Sequence, residues 1–113
     1  MLPVKYRLTQ DRDFKRINAG GKSVFSAYFR LRYLANKLPN SRFAVVVSTK
    51  ISKKATIRNR LKRQTREILR LNREKIKDGF DLIISVQNRA LGRDYEELKT
   101  DLAVLFFKGN LLK

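Results

Sequence analysis

Cysteine and histidine are both absent from this 113-residue chain, and so is tryptophan. Without cysteine there is no disulfide, no thiol nucleophile and no thiolate-held zinc. Without histidine the commonest general base and the commonest metal ligand are missing. Acid is scarce: ten Asp and Glu stand against 27 Lys and Arg, for a net charge of +17. The acids are scattered. Asp11, Asp13, Asp94, Glu96 and Glu97 sit where helices should start, and Glu67 and Glu74 lie among basic residues. Asp78 and Asp81 occupy turn or strand-edge positions, and Asp101 lies on the last helix. None of this is a metal-binding spacing. Neither the phosphate-loop pattern nor the dinucleotide-binding glycine pattern occurs. No residue is therefore assigned a catalytic or metal-ligating role, and no small-molecule substrate is expected. No apolar run approaches the length of a membrane span, and the first residues lack a signal-peptide core, which argues for a cytoplasmic protein.

The charge is what remains. A surplus this large repels itself in the folded state and favours a polyanionic partner. About half of it lies in residues 50 to 75, where eleven Lys and Arg stand against Glu67 and Glu74. Leu61, Ile68 and Leu69, flanked by Ile57 and Ile76, recur at helical spacing and predict an amphipathic helix over 55 to 76. Asn59, Arg63, Arg66, Arg70 and Arg73 form a second stripe on that helix. Its like charges repel, and a polyanion would relieve them. The apolar stripe carries no aromatics of the kind interfacial helices use, so no membrane partner is expected. RNA is favoured over DNA, since no helix-turn-helix or zinc-finger pattern appears.

The rest of the chain frames this helix. Residues 1 to 8 read as an extended arm containing Pro3. Thr9 is the expected N-cap of a helix over 10 to 18, which pairs Phe14 with Ile17 on one face and ends at Gly20-Gly21. Residues 24 to 35 read as one strand. Phe29, Leu31 and Tyr33 share one face of it; Tyr28, Arg30 and Arg32 share the other. Interleaved aromatic and arginine side chains suit stacked bases and phosphates. Residues 36 to 41 form a turn. The apolar run 42 to 49 argues for a central strand. Gly79 stops the basic helix, and 80 to 87 is a buried strand, parallel to the one at 42 to 49 across a β-α-β unit. Asp94 and Glu97 form a capping box for a last helix over 95 to 108. It buries Tyr95, Leu98, Leu102, Leu105 and Phe106, and Gly109 closes it.

The run Lys53-Lys54-Ala55-Thr56-Ile57-Arg58-Asn59-Arg60-Leu61-Lys62-Arg63, then Arg66-Glu67, resembles the signature of the bacterial ribonuclease P protein family. It follows Ser48-Thr49-Lys50, as that signature does. Arg7-Leu8 with Asp13-Phe14, Gly21-Lys22-Ser23 and Gly79-Phe80-Asp81 extend the likeness along the chain. The resemblance implies one α+β domain over residues 1–113, an α-β-β-β-α-β-α sandwich similar to a ribosomal-protein fold. It implies the protein subunit of an endoribonuclease, bound to a catalytic RNA that removes the 5′ leader of precursor tRNA using RNA-held Mg2+. By the match, Arg58, Arg60, Lys62, Arg63 and Arg66 contact the catalytic RNA. Asn59 orders the motif, and Lys53 and Lys54 add phosphate contacts. Phe14 matches a leader-facing aromatic, with Tyr28, Arg30 and Arg32 nearby. Arg32 stands where the family often has Tyr, and Asn18 where it often has Phe. The competing reading is a ribosomal or RNA-chaperone protein with no part in cleavage.

Overall fold

The structure, a computed structural model, describes residues 3–113. Seven elements follow in order: α1 (Asp11–Gly20), β1 (Lys22–Phe25), β2 (Phe29–Ala35), β3 (Arg42–Val46), α2 (Ala55–Asn72), β4 (Phe80–Val86) and α3 (Tyr95–Lys108). This is the α-β-β-β-α-β-α order implied by the resemblance. The strands form one sheet in the order β1-β2-β4-β3. β1–β2 and β2–β4 are antiparallel, and β3–β4 is parallel, as the β-α-β unit required.

Alternation along each strand divides the sheet into two unequal faces. Phe29, Leu31, Phe43, Val45, Leu82 and Ile84 meet α2 and α3 in the main core. On the other face Ile83 meets Ile17 of α1 and Leu8, edged by Phe14, Leu34 and Ala44. That second cluster is small, and polar links supplement it. Asp81, 0% exposed, accepts hydrogen bonds from Arg42 Nε (2.8 Å) and Nη2 (2.7 Å), Arg16 Nη2 (2.6 Å) and Asn36 Nδ2 (2.9 Å). Arg42 also lies 3.4 Å from Asp13. Its bonds to Asp81, chiefly, push the Arg42 guanidinium further above its ordinary range. One buried carboxylate thus ties β4 to β3, to α1 and to the β2–β3 turn.

Several boundaries differ from expectation. Residues 24 to 35 are not one strand but the end of β1, a turn at 26 to 28, and β2. That turn has no Gly, Pro or Asn; Asp101 of α3 supplies what it needs. Asp101 Oδ2 accepts from Ser26 Oγ (2.6 Å) and Tyr28 N–H (2.9 Å), and Oδ1 from Ala27 N–H (3.2 Å). β3 is an edge strand rather than a central one. Its core face, Phe43 and Val45, is buried, whereas on the other face Ala44 only edges the cluster under α1 and Val46 is 39% exposed. Its outer edge is closed by the N-terminal arm: Arg7 bridges Phe43, and Leu8 N–H donates to the Phe43 carbonyl at 2.8 Å. Before that bridge the arm is not extended, since Val4–Tyr6 form a 3-10 turn; residues 1 and 2 lie outside the described ones.

Gln10, not Thr9, is the N-cap of α1, because Leu8 still runs along β3 and the helix starts three residues later, at Asp11. α1 ends at Gly20, with Gly21 as its cap. A Cβ at Gly21 would lie 2.5 Å from the Ile17 carbonyl oxygen and 3.0 Å from that of Tyr33, so close approach demands glycine there. α2 stops at Asn72, four residues short of the prediction. Asn72 Nδ2 takes the Ile68 carbonyl, a local bond that competes with continued helix. Arg73–Lys75 form a 3-10 turn, and Ile76 leaves to bridge Leu112. α3 matches the expected bounds, capping box included.

Candidate nucleic-acid interface

Leu61, Thr65, Ile68 and Leu69 bury one side of α2 and turn its basic side outward. Lys53, Lys54, Asn59, Arg60, Arg63 and Arg66 are exposed, and Arg58 and Lys62 half-buried. Arg58 is partly committed: its Nη1 donates to the Ser52 carbonyl at 2.8 Å and staples the preceding loop to the helix. Among the described residues, the side chains of Lys53, Lys54, Arg60, Lys62, Arg63 and Arg66 have no hydrogen bond or ion pair. Asn59, Arg63, Arg66 and Glu67 line one groove. The start of α2 adds to the field. Lys54 is an N-cap with no side-chain bond, and the first turn holds no acid. The positive end of the helix dipole and its spare N–H groups therefore face solvent among cations, an arrangement that suits phosphate.

The basic stripe predicted along α2 is not uniform. Arg70 pairs with Glu67, its Nε 3.1 Å from Oε2, which raises the guanidinium's affinity for its proton and lowers that of Glu67. Arg73 lies 4.1 Å over the ring of Tyr6. The uncommitted half ends at Arg66.

A second surface lies on the α1 side of the sheet. Strand register sets Phe25, Arg30, Ser85 and Val46 in one row across all four strands. The adjacent row, Ser23, Arg32, Ile83 and Ala44, runs under α1. The outer row is open: Phe25 is 57% exposed and Val46 39%. Phe14 of α1 and Val46 line the same groove, with Arg66 of α2 at its rim. The Arg30 guanidinium lies 5.6 Å from the Phe25 ring centre, makes no hydrogen bond, and has a buried Nε without a partner. A buried donor left so is costly until a ligand supplies an acceptor.

Of the residues assigned to this face, Phe14 and Arg30 both lie on it, Phe14 in the groove and Arg30 in the open row beside Phe25. Arg32 is on the face, but its guanidinium bonds the end of α1. Tyr28 is not on it: it belongs to the turn after β1 and packs against the main core beside α3, with Arg93 5.3 Å from its ring. Phe25 and Val46 were missed. Both fall outward by strict alternation, and an exposed aromatic on a strand was the available signal. No group of metal-ligating side chains occurs among the described residues, and no described helix is long and apolar enough to cross a membrane.

A sheet groove with an unpaired arginine, beside a helix of unpaired cations, defines an RNA-binding α+β protein. Its site carries no histidine or cysteine for bond cleavage. Comparison agrees: the family model for Ribonuclease P matches residues 2–109. The chain is 38% identical over 112 residues to the Ribonuclease P protein component of Synechocystis sp., covering 98% of this chain and 90% of that one. The RNase P protein of Thermotoga maritima superposes with a TM-score of 0.83 at 35% identity, over 90% of this chain and 96% of that one. That of Staphylococcus aureus superposes at 0.87 with 26% identity, over 96% and 98%. The chain belongs to the ribonuclease P protein family. Its role is that of the protein component of this tRNA-processing endoribonuclease, a ribonucleoprotein.

Proposed function

We propose that the two surfaces divide the work of one subunit in the cytoplasm. The exposed side of α2, from Lys53 to Arg66, binds the catalytic RNA. The groove lined by Phe14 and Val46, continued along the open row to Arg30, takes the single-stranded 5′ leader of precursor tRNA. The observation that carries this division is that the uncommitted cations of α2 lie over one face of the sheet and the uncommitted Arg30 on the other, with Arg66 at the border between them. Mg2+ and the hydrolysis belong to the RNA. The protein contributes charge that offsets repulsion between two folded RNAs, and a groove of defined width.

The test is cleavage of precursor tRNA by a bacterial ribonuclease P RNA at low Mg2+, with and without this protein. Restored cleavage at the mature 5′ end is expected. RNA binding with no change in cleavage would favour a general RNA clamp of the ribosomal type. Phe14→Ala separates the surfaces: it is expected to weaken holoenzyme binding of leader-bearing precursor about tenfold and to leave leaderless precursor unaffected, given ~1 to ~3 kcal/mol per stacked base. A gel-shift titration with both precursors measures this.

A further inference from the structure

We propose that Arg32 is a positioning residue, latching the end of α1 to the sheet, and that Arg30 alone reads leader phosphate. The proposal rests on the leader reading above. The two arginines alternate on β2 and look equivalent in sequence. The Nε of each is buried without a partner, and it is the terminal nitrogens that separate them. Arg32 Nη2 is shared among the carbonyl oxygens of Asn18 (2.9 Å), Gly21 (3.3 Å) and Ile17 (3.4 Å), and Nη1 donates to Ser23 Oγ at 3.1 Å. The carbonyls of Ile17 and Asn18 belong to the last turn of α1, where helix carbonyls lack partners and the dipole favours a cation. α1 has no basic residue of its own in that turn. Arg32 supplies one from the sheet.

The latch matters because little else holds this end. The apolar contact beneath α1 is the small cluster of Leu8, Ile17 and Ile83. Arg16 ties the opposite flank to Asp81 and to the Ala35 carbonyl at 3.3 Å. Phe14, one turn before the latched carbonyls on the same helix, packs on that cluster and lines the groove, so its place follows that of α1. A phosphate reaching Arg32 would have to displace bonds already made, whereas Arg30 has none to give up.

The experiment measures holoenzyme affinity for precursor with and without a leader across a salt series. The variants are Arg30→Met, Arg32→Met and Arg32→Lys. A phosphate contact contributes to the slope of log affinity against log salt; a latch does not. Arg30→Met is expected to flatten the slope by ~0.7 to ~0.9. Arg32→Met is expected to weaken leader-bearing precursor about fivefold with the slope unchanged, and to speed amide exchange at residues 18 to 21. Arg32→Lys should recover most of that loss, and Arg32→Gln, which keeps an N–H donor without the charge, substitutes as the test variant if Arg32→Met does not fold. A slope flattened equally by Arg30→Met and Arg32→Met would overturn the proposal, as would unchanged affinity in Arg32→Met. Equal wild-type affinity for both precursors would sink the leader reading instead. The exchange rates would then judge the latch by themselves.

Discussion

Replacing Arg60, Arg63 and Arg66 together with alanine is expected to weaken catalytic-RNA binding by about 100-fold at moderate salt. The three side chains are exposed, and none is engaged within the protein. Each exposed cation–phosphate contact is worth up to ~1 kcal/mol, so three approach ~3 kcal/mol, and every ~1.4 kcal/mol is a factor of ten. The salt dependence should flatten by ~2 to ~2.7, the sum of three contacts at ~0.7 to ~0.9 each. Thermal stability should hold or rise slightly, because like charges three and four apart on a helix repel by a few tenths of a kcal/mol, roughly. Affinity and stability therefore move in opposite directions. Filter binding over a salt series and a melting curve on one preparation test this together. A triple variant that loses stability and affinity in parallel would mean that the stripe supports the fold.

Asp81→Ala is expected to have the largest effect on the fold of any single charge removal. Asp81 is fully buried and accepts four hydrogen bonds, three of them from arginines. Removing one member of a buried charge set leaves the others uncompensated, at a cost of ~3 to ~5 kcal/mol. Arg16 and Arg42 keep some access to water, with side chains 40% and 22% exposed, so the lower figure applies. About 3 kcal/mol lowers Tm by roughly 10 °C in a domain of this size. Asp81→Asn keeps one acceptor and should lose about half as much. Glu67→Ala removes the same formal charge from an exposed pair and should leave Tm unchanged. Calorimetry on the three variants decides it. Equal melting temperatures for Asp81→Ala and Glu67→Ala would show that the buried network is not a clamp.

The parts of this molecule legible in sequence are those whose causes are local. α3 carries its own capping box and apolar period, and its bounds follow from them. The core of α2 follows from Leu61, Ile68 and Leu69. What escaped is set by partners far along the chain. The turn between β1 and β2 is made by Asp101, more than seventy residues away, so no turn residue marks it. Tyr28 was misplaced with it, because a strand that runs straight through 26 to 28 gives the wrong face. Asp81 resembled a strand-edge acid, yet its burial depends on arginines from α1 and β3. β3 reads as central because Ala44 and Val46 are apolar although only partly covered, and that pattern does not show whether the edge is closed by a strand or by two residues of an arm. In the groove, alternation placed Arg30 and Arg32 correctly, but only the bonds at the end of α1 distinguish them.

The strand order also sets a sequence of events during synthesis. β2 and β3 are consecutive in the chain but do not pair; both wait for β4 to enter between them. A nascent chain that ends before residue 80 has two unpaired strand edges, and it has Arg16, Arg42 and Asn36 without Asp81, leaving Asp13 as the only carboxylate near the two arginines among the described residues. It already has every cation of α2. Long-range pairing of this kind is slow, and ribosomes release residues from the N-terminus onward. The newborn chain is thus a polyanion binder before it owns a groove. Arrival of β4 completes the sheet, brings Asp81 to α1, and sets in place the open row that the proposed leader site uses.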